Sequence, residues 1–307
     1  MKKLLLGILL PLSLFAYTAQ KENPHFFIVI PTYHNKEYCI QNIQALVDQE
    51  YTNWTAYIAV DGNRSDDDGT GDLLEAFVKE HNLEDKITIH RNSERLLALH
   101  NIFDAIHSAC PDDEWVVGLY DGDDWFYTNK VLDRVAREYR DNDAWFTYGQ
   151  YINYPQNTLG NCRPFPQQIA DHNNFRSYPW IASHFRTFKA GLFKRIKKED
   201  LMHEGKFFPM AWDVAFLPML EMATQKHIRF IPDILYVYRH HQFNDYNVNY
   251  PLLAKMEAVI RSRAPYQPLE SNNNSNSLLV CLIASLFGGI GIISISRYFN
   301  KKKKGLA

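Results

Sequence analysis

An aspartate-rich tetrapeptide, Asp121-Gly122-Asp123-Asp124, stands directly after the apolar run Trp115 to Tyr120. Carboxylates crowded at the tip of a buried strand repel one another, and a divalent cation relieves that repulsion. A few hard oxygen donors suit Mg²⁺ or Mn²⁺ shared with a substrate diphosphate. Asp-Gly is also ordinary turn chemistry, so the tetrapeptide alone leaves a solvated acidic turn open. A second acidic stretch, Asp61 to Asp68, has a superficial likeness to a calcium loop. Its sixth position is Asp66 where such a loop needs Gly, and its twelfth is Asp72 where it needs Glu. That excludes an EF-hand. Asp61, at the tip of the apolar run Ala56 to Val60, is the member of this stretch expected to function, the rest being a solvated loop.

These residues need elements that bring them together. Phe26 to Ile30 is a short continuous apolar run stopped by Pro31, the pattern of a strand buried on both faces. Ala56 to Val60, Ile87 to Ile89, Trp115 to Tyr120 and Ala144 to Tyr148 repeat it. Between them lie helical patterns around Ile43, Leu46 and Val47, over Leu73 to Val78, and over Val131 to Tyr139. Leu99, Ile102, Phe103 and Ile106 form a fourth, at i, i+3, i+4 and i+7. Alternating strands and helices predict an α/β fold with a mostly parallel central sheet flanked by helices. Ligands of such sheets bind beyond the carboxyl ends of the strands, where Pro31-Thr32-Tyr33, Asp61 and Asp121 to Asp124 all fall. No Gly-rich dinucleotide or Walker-type phosphate loop follows the first strand.

The blocks Phe27-Ile28-Val29-Ile30-Pro31-Thr32-Tyr33, Val60-Asp61-Gly62 and Asp121-Gly122-Asp123-Asp124 resemble the opening of family 2 glycosyltransferases of the GT-A fold. Ser183 to Phe188, Trp212 to Ala223 and Leu235 to Arg239 are similar to the acceptor half of a non-processive subgroup. The resemblance spans Phe26 to Asn249. It implies the GT-A (nucleotide-diphospho-sugar transferase-like) fold and an inverting, metal-dependent hexosyl-type transfer from a nucleotide-sugar donor, with Mn²⁺ or Mg²⁺ as cofactor. By that resemblance Pro31, Thr32 and Tyr33 line the nucleoside pocket and Asp61 bonds the base. Asp123 and Asp124 face the ribose and the metal-bound diphosphate, and Asp121 is the other arm of the D-x-D pattern. The family usually carries two adjacent acids where this chain has Asp61 alone, and a small residue where it has Arg95. The Q-x-x-R-W motif of processive synthases is absent from the sequence.

Inverting transfer is a single displacement and needs one general base. Asp213 opens an apolar helical run (Val214, Leu217, Leu220), where free N–H groups and the helix dipole orient a carboxylate. An ordinary N-cap uses Asp in the same way. Its place relative to the other blocks favours the base. His184 and Arg186, with Trp212, are expected beside the diphosphate or the acceptor. Trp180 and the tyrosines offer stacking surfaces but are as readily core. His240 and His241 read as a surface pair, with metal ligation by one of them as the alternative. Two other functions share this plan: a catalytically silent GT-A domain that binds carbohydrate at a membrane, and a nucleotidyltransferase. The retained aspartates argue against the first, and the lack of glycine between Pro31 and Lys36 against the second.

The ends of the 307-residue chain carry different signals. Residues 1–19, with Lys2, Lys3 and the apolar run Leu4 to Tyr17, read as a signal peptide or short anchor. Residues 20–150 form the nucleotide-sugar-binding half, 151–268 the acceptor and catalytic half, and 269–277 a polar linker. Leu278 to Ser296 is apolar enough for a transmembrane helix, and Arg297 with Lys301 to Lys304 makes 297–307 a basic cytoplasmic tail. The topology expected is single-pass type I, the body exoplasmic or lumenal in the secretory pathway. The formal charge of −2 includes these terminal lysines, so the body is more acidic than the total suggests and nucleic acid is a poor partner. A charged fraction of 22% excludes a polytopic membrane protein, and 46% hydrophobic residues exclude a disordered chain. The expected partners are a nucleotide-diphospho-sugar and a glycan, protein or lipid acceptor. Cys39, Cys110 and Cys162 permit at most one bridge within the body. Asn53, Asn63 and Asn273 open acceptor triplets for N-glycosylation, a pattern common by chance.

Overall fold

In the computed structural model, residues 22–209, 212–242, 244 and 250–269 are described, without the side chains of 212–215. The predicted signal segment, transmembrane helix and tail lie outside them. No helix among the described residues is long and apolar enough to cross a membrane. The described residues up to Pro268 form one compact unit.

The continuous apolar runs become parallel strands. β1 (Phe26–Thr32) lies between β2 (Trp54–Val60) and β4 (Val116–Leu119), and β3 (Ile87–Arg91) extends the sheet beyond β2. Phe26 to Ile30 are buried throughout, because helices cover both faces and leave no solvent side. α1 (Cys39–Val47) turns Cys39, Asn42, Ile43 and Leu46 inward, and α2 (Thr70–Glu80), α3 (Ala98–Ala109) and α4 (Val131–Asn142) each bury an apolar stripe. Full burial of each such Phe, Ile or Leu is worth about 1.5–3 kcal/mol.

Beyond β4 the pairing changes sense. The sheet has nine strands, running β3-β2-β1-β4-β8-β6-β11-β5 with β7 at the side of β6. β5 (Trp125–Phe126), β6 (Phe146–Tyr154), β7 (Thr158–Leu159), β8 (Arg186–Lys189) and β11 (Ile228–Arg239) complete it. β8 pairs antiparallel with both β4 and β6, and β5 antiparallel with β11, while β6 and β11 are parallel. The sheet is therefore mixed: parallel in its N-terminal half, with antiparallel strands from the C-terminal half set into its middle and edge. Gly118 permits this. A Cβ there would sit 2.6 Å from the ring of Phe185, just ahead of β8.

Around this frame lie α5 (Gln167–Asp171), α6 (Ala190–Lys194), a small hairpin of β9 (Met202–His203) and β10 (Lys206–Phe207), α7 (Trp212–His227) and α8 (Tyr250–Arg261). α7 contains Pro218 and breaks at Thr224, whose φ of 59° and ψ of 169° are not helical. Cys39, Cys110 and Cys162 are buried free thiols.

Candidate active site

The carboxyl ends of β1, β2 and β4 share one edge of the sheet. There the Asp61 N–H donates to the Thr32 carbonyl at 2.8 Å, and the Tyr120 N–H to the Val29 carbonyl at 3.1 Å. The acidic tetrapeptide turns immediately afterwards, its Asp124 N–H reaching the Asp121 carbonyl at 3.2 Å. Buried Asn42 fixes that turn. Its amide donates to the carbonyls of Asp121 and Asp124 at 2.8 and 2.9 Å, and the Tyr236 hydroxyl accepts the Asp121 N–H at 2.9 Å. Gly122 lets the turn lie against β1: a Cβ would meet Thr32 Oγ1 at 2.6 Å.

The two terminal aspartates of the turn diverge. Asp124 points inward, 1% exposed, and its Oδ1 accepts the main-chain N–H of Arg239 at 2.7 Å. Its Oδ2 is buried with no hydrogen-bond partner. Burial, then the charges of Asp123 and Asp121, raise its pKa well above the usual carboxylate range. Asp123 stays near the surface, its Oδ2 2.8 Å from His241 Nε2 and 3.5 Å from the Asn244 amide.

Ligand atoms of Asp121, Asp124 and His184 lie within 4.8 Å of one another. His184 reaches this point because β8 pairs with β4. Its Nδ1 is 3.7 Å from Asp121 Oδ2 and accepts from the Arg186 guanidinium at 3.3 Å. Its ring stacks on Tyr236 and Tyr238, with centroids 4.7 and 5.2 Å away. Burial, then the charge of Arg186, holds the imidazole well below its ordinary pKa, so it is neutral and free of a proton at the accepting nitrogen. Arg186, 4% exposed, lies 3.6 Å from Asp121 Oδ2 and packs its guanidinium over Phe216, its Nε buried without a partner. Two aspartates, one of them with an orphaned buried oxygen, and a neutral imidazole suit a divalent cation. The sequence points to Asp123 and Asp124 as the metal pair; the geometry groups Asp124 with Asp121 and His184, and sets Asp123 against His241.

Pro31, Thr32 and Tyr33 line the adjoining edge. Tyr33 stacks on His34 at 3.9 Å, carries the Arg95 guanidinium over its ring at 3.9 Å, and donates its hydroxyl to Asp66 at 3.2 Å. Asp61 is 6% exposed, and its carboxylate accepts from the Asn92 amide and from the N–H groups of Leu96 and Leu97 at 2.7–2.9 Å. It holds the loop that carries Arg95, and one lone-pair direction remains for a ligand. The neighbouring acids are structural rather than merely solvated. Asp67 pairs with Arg91 at 2.9 Å, and Asp68 accepts the Thr70 N–H at the start of α2.

Trp212 and Asp213 open α7; their side chains lie outside the described residues. His240 contacts Asn153 at 2.8 Å, away from the carboxylates. Asn42, Tyr236, Arg239 and Asn244 are the site residues that sequence reasoning did not single out. Asn42 left a signal, a polar residue on the apolar face of α1.

The sequence profile of glycosyl transferase family 2 matches residues 27–198. A comparison with curated proteins gives no match. Among solved structures, the fold is similar to the crystal structure of S. aureus TarS 1-349 in complex with UDP-GlcNAc, at 15% identity and a TM-score of 0.53 over 77% of this chain and 66% of that one. It is also similar to the mannosyltransferase PcManGT from Pyrobaculum calidifontis in complex with GDP-Man and Mn²⁺, at 16% identity and a TM-score of 0.53 over 80% and 66%. The chain thus aligns over just under two thirds of the length of each.

Proposed function

Because this chain belongs to glycosyl transferase family 2 and has its GT-A-like fold, we propose that it moves a sugar from a nucleotide-diphospho-sugar to an acceptor hydroxyl with inversion. The observation that carries this reading is the convergence of Asp121, Asp124 and His184 at the carboxyl edge of the parallel strands, with Asp124 Oδ2 buried and unpaired. Asp124, Asp121 and His184 are the donors offered to Mn²⁺ or Mg²⁺, with Asp123 and His241 alongside. When bound, the cation supplies countercharge to the departing diphosphate. The donor class is the one named for the two structural neighbours, UDP-GlcNAc in one and GDP-Man with Mn²⁺ in the other.

In this reading Tyr33 and Thr32 hold the nucleoside, with Asp61 orienting both the base and the loop under Arg95. Arg186 and His184 line the space behind Asp121, where the guanidinium offers positive charge to the diphosphate. Trp212 borders the acceptor. Asp213 takes the proton from the acceptor hydroxyl as that oxygen attacks the anomeric carbon, in a single displacement. A base so placed contributes about a hundredfold or more. The test uses the full-length chain with a panel of UDP- and GDP-sugars in Mn²⁺, following nucleotide release and product stereochemistry. Asp213→Asn is expected to lower turnover about a hundredfold while the donor KM stays within a few-fold. Unchanged turnover in Asp213→Asn refutes the base, and no release from any donor refutes the transfer.

We further propose that Leu278 to Ser296 anchors the protein in a membrane, with the body on the exoplasmic or lumenal side. Protease added to sealed vesicles from the cytosolic face should then leave the body intact. Its digestion overturns this topology.

A further inference from the structure

Arg239, at the close of β11, ties the acidic turn to the C-terminal half of the chain with both its main chain and its side chain. Its main-chain N–H donates to Asp124 Oδ1, and its side-chain Nε–H donates to the Asp123 carbonyl at 2.9 Å. A terminal guanidinium nitrogen donates to Gln41 on α1. The guanidinium carbon lies 4.4 Å from the ring centre of Tyr38, 4.6 Å from that of Trp125 and 5.5 Å from that of Tyr154. Trp125 and Tyr154 meet edge to face at 5.2 Å, so the rings make a box around the cation. Among the described residues no carboxylate pairs with Arg239. Its guanidinium is directed instead at a carbonyl of the turn and at Gln41, with aromatic faces around it.

The division of labour within the turn gives this arrangement its meaning. Asn42 and Tyr236 hold the main chain of Asp121 and Asp124. The Asp123 carbonyl is held by Arg239, and the Asp123 carboxylate meets His241 two residues further on. Asn244 ties the two regions together, its amide donating to the Arg239 carbonyl at 3.2 Å and its Oδ1 accepting the His241 N–H at 2.6 Å. We propose that Arg239, boxed by Tyr38, Trp125 and Tyr154, is the positioning residue of the acidic turn. Its Nε–H fixes the peptide between Asp123 and Asp124, and with it the directions of both carboxylates towards a donor diphosphate. This rests on the transferase reading above. A planar fork is required, because one guanidinium must reach the Asp123 carbonyl and Gln41 at the same time; a lysine ammonium is a single point charge on a flexible stem.

Arg239→Ala and Arg239→Lys in the full-length chain test the assignment. The main-chain bond to Asp124 survives both substitutions, so only the side-chain ties are removed. Arg239→Ala is expected to lower kcat about 10- to 100-fold and to raise the midpoint of Mn²⁺-induced thermal stabilisation by a similar factor. Arg239→Lys should stay close to Arg239→Ala, and ethylguanidinium at non-denaturing concentration should restore part of the Arg239→Ala activity by occupying the emptied box. Wild-type behaviour in Arg239→Lys overturns the proposal. So does an Arg239→Ala defect that ethylguanidinium leaves untouched. Should Arg239→Ala fail to fold, the Mn²⁺ midpoint of Arg239→Lys decides. A wild type that binds Mn²⁺ yet turns over no donor counts against the transferase reading, while the Mn²⁺ midpoints still decide the role of Arg239.

Discussion

Asp124→Asn is expected to melt above the wild type in chelator, to lose the stabilisation that Mn²⁺ confers, and to fall about a thousandfold in transfer. The three effects share one cause. Asp124 is 1% exposed, with one oxygen bonded to the Arg239 N–H and the other unpaired. Asparagine keeps the acceptor and does not titrate, so it removes the cost of holding Asp124 protonated while the unfolded chain ionises. The pH dependence follows from the direction of the pKa shift, which is upward from 3.8. The native chain holds this proton more tightly than the unfolded one. Below the unfolded value both states are protonated and nothing is lost. As pH rises from there to the native pKa, stability declines by about 1.4 kcal/mol per pH unit. A bound cation favours the ionised carboxylate, so the Mn²⁺-induced rise in Tm should grow with pH in the wild type and be flat in Asp124→Asn. Melting curves in chelator and in Mn²⁺ across a pH series check this. A variant that melts no higher than the wild type in chelator at neutral pH, or that keeps the Mn²⁺ response, contradicts the placement of the charge.

That experiment bears on a choice the sequence leaves open. Strands buried on both faces are written as uninterrupted apolar runs, so Phe26 to Ile30, Ala56 to Val60 and Trp115 to Tyr120 are legible as strands, and the residues at their tips as a common edge. The α3 spacing of Leu99, Ile102 and Ile106 is as clear. Which carboxylate of Asp121, Asp123 and Asp124 turns inward is set by Asn42, Tyr236 and Arg239, from elements far away in the chain. No local pattern encodes that. The same holds for His184, which reaches Asp121 only because β8 inserts antiparallel beside β4, a pairing without a sequence period of its own. Asp67 and Asp68 illustrate the converse. They read as part of a solvated loop, yet they serve Arg91 and the start of α2.

Glu221→Ala is expected to cost about 3–5 kcal/mol, the largest stability loss of a single substitution considered for this chain. Glu221 is fully buried on α7 and takes two bonds from the Arg176 guanidinium, at 2.6 and 3.0 Å. It also accepts the N–H of Tyr266 at 2.8 Å, while Arg176 donates to the Ile260 carbonyl at the end of α8. Alanine leaves a guanidinium buried without its counter-ion and releases α8 and the segment after it from α7. Burial nevertheless outweighs the partners: the Glu221 pKa is raised from 4.5, desolvation exceeding the pull of Arg176 and the Tyr266 N–H. The native state therefore binds the proton more tightly here too, and stability at this locus declines as pH rises above 4.5 towards the native value. An ion pair whose desolvation is not repaid should be replaceable. Arg176→Met with Glu221→Leu is expected to regain a large part of the loss, short of the wild type by the orphaned Tyr266 N–H and Ile260 carbonyl. Because Glu221 lies about 12 Å along α7 from Asp213, Glu221→Ala should also lower transfer, whereas the double variant should restore it. Denaturant curves for Arg176→Met, Glu221→Leu and the double variant provide the cycle, with Glu221→Ala measured beside them. A Glu221→Ala loss under about 1 kcal/mol would show that the pair contributes like a surface ion pair, and a double variant as unstable as the worse single would contradict its replacement by apolar side chains.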